Sequence, residues 1–142
     1  MSPETEMLLQ EIERPTSVLL VNDDLFLSTR ILSVLKQLGI ATTYATSLSQ
    51  ARESLESCRP GLVMINLNST RLGGVQAITE LKSFGSARIL AFINHTRIPE
   101  IKSAAITAGA ERIVANSAIS MRLPYILRSM MRLEPPAPED EE

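Results

Sequence analysis

The 142-residue chain has the length of one domain, and its composition, 44% hydrophobic but only 4% aromatic, indicates a core built of aliphatic side chains. Its net charge is −2, and its single cysteine, Cys58, excludes an internal disulfide framework and a cysteine-based zinc site. No apolar stretch approaches the roughly 20 residues of a membrane span, and the acidic N-terminus lacks a secretory signal, so we expect a cytoplasmic protein.

The charge is unevenly distributed along the chain. Residues 1–17 carry four acids and one base, residues 18–132 carry 13 Lys and Arg against 7 Asp and Glu, and residues 133–142 carry five acids and no base. A basic body between acidic ends suits an acidic partner, nucleic acid, or ends that fold back on the body. Because the bases are scattered singly, without interleaved aromatic residues, we do not expect direct binding of nucleic acid.

The first part of the chain predicts a strand, a helix and a second strand. Residues 18–21 form a short apolar run, and apolar residues then repeat at helical spacing from Leu27 to Leu38. Gly39 suits the position just past a helix end. Residues 41–44 predict a weaker, more polar strand, which we place at an edge of the sheet.

A second helix and a third strand follow. Ser47 and Gln50 have the spacing of a capping box, which predicts a helix start. The sequence Arg59-Pro60-Gly61 ends that helix, and residues 62–65 form the most continuous apolar strand.

The second half of the chain continues the alternation. After Gly73-Gly74, residues 75–81 predict a helix and residues 89–93 a strand. Pro99 suits the start of the next helix and Gly109 its end. Residues 113–115 predict the fifth strand and residues 121–133 the last helix, with Pro124 in its first turn because a mid-helix proline would cost about 3 kcal/mol.

Five strands alternating with five helices predict an α/β fold, a doubly wound five-stranded parallel sheet with helices on both faces. We assign the domain to residues 17–133. Residues 1–16 form an acidic N-terminal extension that could contain a short helix. Residues 134–142 cannot bury a core and predict a disordered acidic tail.

All five asparagines stand at or just past the carboxyl ends of predicted strands: Asn22, Asn66, Asn68, Asn94 and Asn116. In open α/β sheets these ends converge on one crevice, where ligands usually bind. Amides hydrogen-bond in both directions but are poor acids, bases, nucleophiles and magnesium ligands. The crevice therefore predicts no catalytic residue, no metal and no cofactor, and we do not expect an enzyme.

Three segments together resemble the receiver domain of two-component response regulators: residues 18–24 before an amphipathic helix, residues 62–66 eight residues before Gly74, and AGAERIVANS at 108–117. The resemblance implies a flavodoxin-like sheet. It also implies a pair of acids after the first strand that hold magnesium, an aspartate after the third that accepts a phosphoryl group, a hydroxyl after the fourth and a lysine after the fifth.

Carried over by spacing, these positions form a degenerate phosphorylation pocket. The acid pair falls on Asn22 and Asp23, the phosphoacceptor on Asn66 and the lysine on Asn116. The hydroxyl falls on Asn94, or on Phe92 or Ile93 if a gap intervenes. Asn66 should form no acyl phosphate, and too few carboxylates remain for magnesium.

Simpler roles remain open for some of these residues. Asp23 or Asp24 could cap the first helix, and Asp24 is better placed for that role. His95, the only histidine, suits an exposed contact or a structural hydrogen bond better than a catalytic role. With Arg97 and Ile113 it marks an expected partner surface.

We therefore predict a phosphorylation-independent pseudo-receiver, a signalling or scaffold module that binds a protein partner through its last two helices and last strand. A homodimer is left open. One alternative is an atypical receiver controlled by phosphorylation elsewhere, for example at Ser69 or Thr70, or by a small ligand in the crevice. Another is a nucleic-acid-associated regulatory accessory.

Overall fold

Strands and helices alternate along the chain in the computed structural model, which describes residues 17–131. The elements are β1 (Ser17–Val21), α1 (Leu25–Gln37), β2 (Ala41–Ala45), α2 (Leu48–Ser57), β3 (Leu62–Asn66), α3 (Val75–Lys82), β4 (Arg88–Ile93), α4 (Ile98–Ala108), β5 (Arg112–Ala115) and α5 (Asn116–Met130). A short 3-10 helix, His95–Arg97, precedes α4. The predicted N-terminal helix and disordered C-terminal tail lie outside the described residues.

The five strands form one parallel sheet in the order β2-β1-β3-β4-β5. This is the predicted doubly wound sheet, and the more polar strand β2 does lie at an edge. Val18 pairs with Leu62 and Leu62 with Arg88, so these strands begin together along the amino edge. Their other ends form the carboxyl edge, where the asparagines stand.

Helices cover both faces of the sheet, as predicted. Helices α2, α3 and α4 pack on one face, and α1 and α5 pack on the other. Every residue of β3 is buried, which fits a central strand read as a continuous apolar run. None of the helices between residues 17 and 131 has the length and apolar character needed to cross a membrane.

Side-chain caps begin α1 and α2. The Asp24 carboxylate accepts a hydrogen bond from the Leu27 amide at 3.2 Å, so Asp24 is the N-cap of α1. The Ser47 hydroxyl accepts from the Gln50 amide at 3.2 Å, as the predicted capping box requires. Gln50 Oε1 in return accepts from the Thr46 amide at 2.8 Å, one residue before the cap.

The predicted start of the last helix was wrong. Helix α5 begins at Asn116 rather than near Met121, and Arg122 interrupts it with non-helical angles of φ −128° and ψ 18°. Pro124 explains the interruption, because its ring clashes with the carbonyl four residues earlier and disfavours helical geometry just before it. Pro124 does lie in the first turn of the second segment, but the first segment was missed.

Arg88, the first residue of β4, makes contacts at the amino edge of the sheet. Its guanidinium forms an ion pair with Glu111, with Nε donating to Glu111 Oε1 at 2.7 Å, and its Nη1 donates to the Met130 carbonyl at 2.5 Å. The hydrogen bond from Arg88 lowers the pKa of Glu111, and the same bond raises the pKa of Arg88. Arg88 therefore ties the amino edge of the sheet to the end of α5.

Gly109 ends α4 as predicted, and replacing it tests that turn. Its φ of +126° is rarely adopted by other residues, and a Cβ built there would lie 2.6 Å from Lys82 Cγ. We expect Gly109→Ala to lower the free energy of unfolding by about 1–3 kcal/mol. Urea denaturation measures the loss.

Gly85→Ala is the matched control, because a Cβ at Gly85 meets no atom within 4 Å. We expect it to be neutral or to stabilise by about 0.4–1 kcal/mol. Equal losses for the two variants would contradict this account of the α4 end.

Candidate functional site

Two buried asparagines face each other at the carboxyl edge of the sheet. Asn22 directly follows β1 and Asn66 is the last residue of β3, and the pairing of Val21 with Ile65 places them side by side. Asn66 Nδ2 donates a hydrogen bond to Asn22 Oδ1 at 2.8 Å. Asn22 is 0% exposed and Asn66 is 4% exposed. The site is thus built on a direct amide-to-amide contact between neighbouring strands.

The Asn22 amide uses its full hydrogen-bonding capacity inside the protein. Its Oδ1 also accepts from the Asp24 amide at 3.2 Å, and its Nδ2 donates to the Asp24 carbonyl at 3.1 Å and to Ser28 Oγ at 2.7 Å. Two donors and two acceptor positions are therefore occupied. This saturation holds the β1–α1 loop against the end of the sheet.

Ser28 is a site residue that was not predicted from the sequence. It is buried on α1 and is the hydroxyl partner of Asn22. A signal was available, because Ser28 lies at helical spacing with Ile31 and Leu35 on the face that packs on the sheet. A polar residue on such a face needs a buried partner.

A chain of amides continues from Asn66 toward β4. Asn66 Oδ1 accepts from the Asn68 amide at 2.8 Å, and Asn68 Oδ1 accepts from the Asn94 amide at 3.1 Å. Asn94 itself is exposed, and its Oδ1 accepts from the Thr96 amide at 3.3 Å at the start of the 3-10 helix. Asn94 therefore joins the site through its backbone, and its side chain serves the following turn.

Asp23 is held by a hydroxyl from the loop after β3. Ser69 Oγ donates to Asp23 Oδ2 at 2.7 Å and accepts from the Leu72 amide at 3.3 Å. The second acid, Asp24, is exposed and caps α1. Between residues 17 and 131, no three His, Cys, Asp or Glu side chains lie close enough to hold a metal ion together.

Asn116 stands at the same edge but apart from the Asn22–Asn66 pair. It follows β5, and β4 lies between β5 and β3, so two inter-strand spacings of roughly 4.8 Å separate it from Asn66. Its Oδ1 is buried and accepts no hydrogen bond from the described part of the chain. The sheet therefore places Asn116 at the same edge as the bonded pair, two strands away from Asn66.

The residues expected to meet a partner lie on the neighbouring turn and strand. His95 and Arg97 are exposed on the 3-10 helix, and Arg97 Nε pairs with Glu100 Oε1 at 3.3 Å. Ile113 is half-buried on β5 and packs against the core between the sheet and α4.

The buried pair can hydrogen-bond but cannot perform acid–base or nucleophilic chemistry. Carboxamides do not ionise in the pH range of a folded protein, and their nitrogen is a donor rather than a nucleophile. The buried part of this edge is therefore electrically neutral, with Asp23 and Asp24 at its rim.

No protein-family model and no curated protein matches the chain. Several solved structures share its fold. The response regulator domain of CheB from Thermotoga maritima is 17% identical with a TM-score of 0.70, covering 86% of this chain and 100% of that chain. The receiver domain of NtrX from Brucella abortus is 20% identical with a TM-score of 0.66, covering 80% and 99%.

The receiver domain of a sensor histidine kinase from Pseudomonas aeruginosa, solved with a magnesium ion in its active site cleft, is 23% identical with a TM-score of 0.69. The match covers 82% of this chain and 97% of that chain. At these identities the likeness establishes the fold, so this chain has the receiver-domain fold that its sequence predicted.

The amide pair predicts a stability difference between two asparagine variants. Asn66→Ala leaves the Asn22 Oδ1 and the Asn68 amide each without one partner, so we expect the free energy of unfolding to fall by about 1–3 kcal/mol. Asn94→Ala removes only a cap from an exposed turn, so we expect a loss near 0.5–1 kcal/mol. Urea denaturation of both variants measures this, and a loss for Asn94→Ala as large as that for Asn66→Ala would contradict the role given to the pair.

Proposed function

We propose that the chain is a pseudo-receiver, a signalling or scaffold module that has the receiver fold, accepts no phosphoryl group on Asn66 and acts by binding a protein partner. The observation that supports this most is the 2.8 Å hydrogen bond from Asn66 Nδ2 to Asn22 Oδ1. Asn66 occupies the position of the phosphoacceptor aspartate in the receiver pattern, and its side chain is engaged in bonding within the sheet edge.

The chemistry of Asn66 argues against phosphoryl transfer to it. A carboxamide nitrogen is not a usable nucleophile toward phosphorus. Both ends of this amide are also occupied, since Nδ2 donates to Asn22 and Oδ1 accepts from the Asn68 amide. Attack on a phosphoryl group would require a nucleophilic oxygen in place of the amide nitrogen of Asn66. It would also require that the hydrogen bonds of Asn66 to Asn22 and Asn68 break.

The ligand set argues against a magnesium site of the receiver kind. Magnesium prefers octahedral oxygen ligands with carboxylates among them. Asn22 directs its Nδ2 to Ser28 and the Asp24 carbonyl, and its Oδ1 already accepts two hydrogen bonds. Of the two carboxylates, Asp23 is bonded to Ser69 and Asp24 caps α1.

Compared with the receiver pattern, this edge lacks both positive and negative charges. Asn116 occupies the position of the lysine in the receiver pattern. A lysine buried beside a neutral pocket would be an unpaired cation, which costs several kcal/mol. Replacement of both acids and the base by amides keeps the site balanced, which favours a settled phosphate-independent form over a chance loss of the acceptor.

Because the amide-lined edge lacks the groups for phosphoryl transfer, we assign the function to protein binding. The proposed surface comprises α4, β5 and α5. His95 and Arg97 are exposed where this surface meets the carboxyl edge of the sheet, and Ile113 lies within β5. A second copy of the chain is one occupant that fits the proposal. We propose no enzymatic activity for the chain, and we propose the cytoplasmic location expected from the sequence.

Incubation with acetyl phosphate and magnesium tests the proposal. We expect the intact mass of the natural chain to show no added phosphoryl group and its amide chemical shifts to show no saturable magnesium binding. The double variant Asn22→Asp and Asn66→Asp is the matched comparison, and we expect it to gain saturable magnesium binding because two carboxylates return to the edge.

A stable phosphoryl group on the natural chain would overturn the pseudo-receiver proposal. Its mapping to Ser69 or Thr70 would favour the atypical receiver instead. Saturable magnesium binding by the natural chain would contradict the argument from its ligand set.

A cross-linking experiment in the native host tests the partner surface. We expect Arg97→Ala combined with His95→Ala to reduce the cross-linked partner several-fold. Arg30→Ala is the control, because Arg30 is an exposed arginine on α1, on the other side of the sheet from α4. Equal reduction by both changes would show that general charge, and not this surface, governs binding.

A further inference from the structure

A groove lies at the amino edge of the sheet, at the opposite end from the amide pair. Its larger lobe, about 650 Å³, is bordered by the last turn of α2, residues 59–61 and residues 84–88. A smaller lobe of about 220 Å³ lies between α2 and α3. Phe84 borders both lobes, so their linings adjoin at its side chain.

The groove combines apolar surface with an aromatic ring. Leu55 and Pro60 are buried in its lining, and Phe84 is half-buried. The Arg52 guanidinium carbon lies 4.4 Å from the centre of the Phe84 ring. Grooves lined by aromatic and apolar groups suit extended proline-rich segments, which lose little entropy on binding.

The net charge of the described residues favours an acidic occupant. Residues 17–131 carry 12 Lys and Arg against 7 Asp and Glu, a net charge of +5. Arg59 is exposed beside the groove, and it makes no ion pair with any residue between 17 and 131. The lining of the two lobes holds three arginines, Arg52, Arg59 and Arg88, against the carboxylates Glu56 and Glu80, and Arg88 is paired with Glu111.

The end of α5 brings the chain to this groove. Arg88, which lines the groove, donates from Nη1 to the carbonyl of Met130, the last residue of α5, at 2.5 Å. Residues 132–142 follow directly and contain five acids, one arginine and three prolines, a net charge of −4. At about 3.1 Å per residue in a polyproline conformation, a segment of this length reaches roughly 30 Å.

We propose that residues 132–142 bind in this groove within the same chain, with prolines against the half-buried Phe84 and carboxylates near the exposed Arg59 and Arg52. Tethering raises the local concentration of the segment to the millimolar range. Because the arginines lie at the surface, salt weakens the contact. The proposal is independent of phosphoryl chemistry at the carboxyl edge.

The native cysteine provides the test in the full chain. Cys58 is the only cysteine, is exposed and precedes Arg59. A hydrogen bond with Ser57 lowers the pKa of the Cys58 thiol, which favours its reaction with a nitroxide label. We expect the label to broaden the amide signals of residues 134–142 at low salt, and the broadening to fall several-fold near 1 M salt, where the screening length is about 3 Å.

Two arginine variants separate binding from simple tethering. Arg59→Gln should reduce the broadening several-fold, whereas Arg71→Gln, at an exposed arginine in the loop after β3 at the opposite edge, should leave it unchanged. Broadening that is changed neither by Arg59→Gln nor by added salt would overturn the proposal. So would broadening of residues 1–16 instead, or broadening between labelled and unlabelled chains in a mixed sample, which would indicate a second copy.

Discussion

The carboxyl edge of the sheet depends on the hydrogen bond between the Asn22 and Asn66 side chains. The register of β1 and β3 places these two residues side by side, so the side chains at the two positions must be compatible with each other. Two carboxylates at 2.8 Å would repel each other unless a cation lay between them or one of them took up a proton. Two carboxamides need no cation, because one donates to the other and no net charge is buried. The amide pair therefore stabilises this edge by itself, whereas two acidic residues would need a cation or a shared proton.

The surrounding side chains complete this arrangement. Ser28 and the Asp24 backbone satisfy the remaining groups of Asn22, and Asn68 extends the network from Asn66 to β4. Ser69 holds Asp23, which would otherwise be an unpaired acid at the rim. Asn116 is neutral where the receiver pattern has a lysine. These contacts leave no net charge buried between Asn22 and Asn66. The function proposed for the chain is therefore binding rather than phosphoryl transfer.

The sequence predicted the fold because the fold depends on the spacing of apolar residues and on the residues that begin and end helices. The apolar run at 62–65 marked the central strand, the polar run at 41–44 marked an edge, and Asp24, Ser47 and Gly109 marked helix ends. It also placed Asn22 and Asn66 at one edge. Their direct bond, the role of Ser28 and the Ser69–Asp23 contact depend on side chains from separate elements, which spacing cannot locate. The start of α5 was missed because Pro124 marks where a helical segment begins but not whether another precedes it.

Exchange of the side-chain amide protons of Asn22 and Asn66 tests the central claim most directly. Both groups are buried and donate within the protein, and hydrogen exchange then requires that this edge of the sheet open. We expect the Asn22 and Asn66 side-chain protons to exchange far more slowly than those of exposed Asn94, with rates unchanged by magnesium. Exchange of the Asn66 protons as fast as that of Asn94, or rates that shift when magnesium is added, would contradict this account.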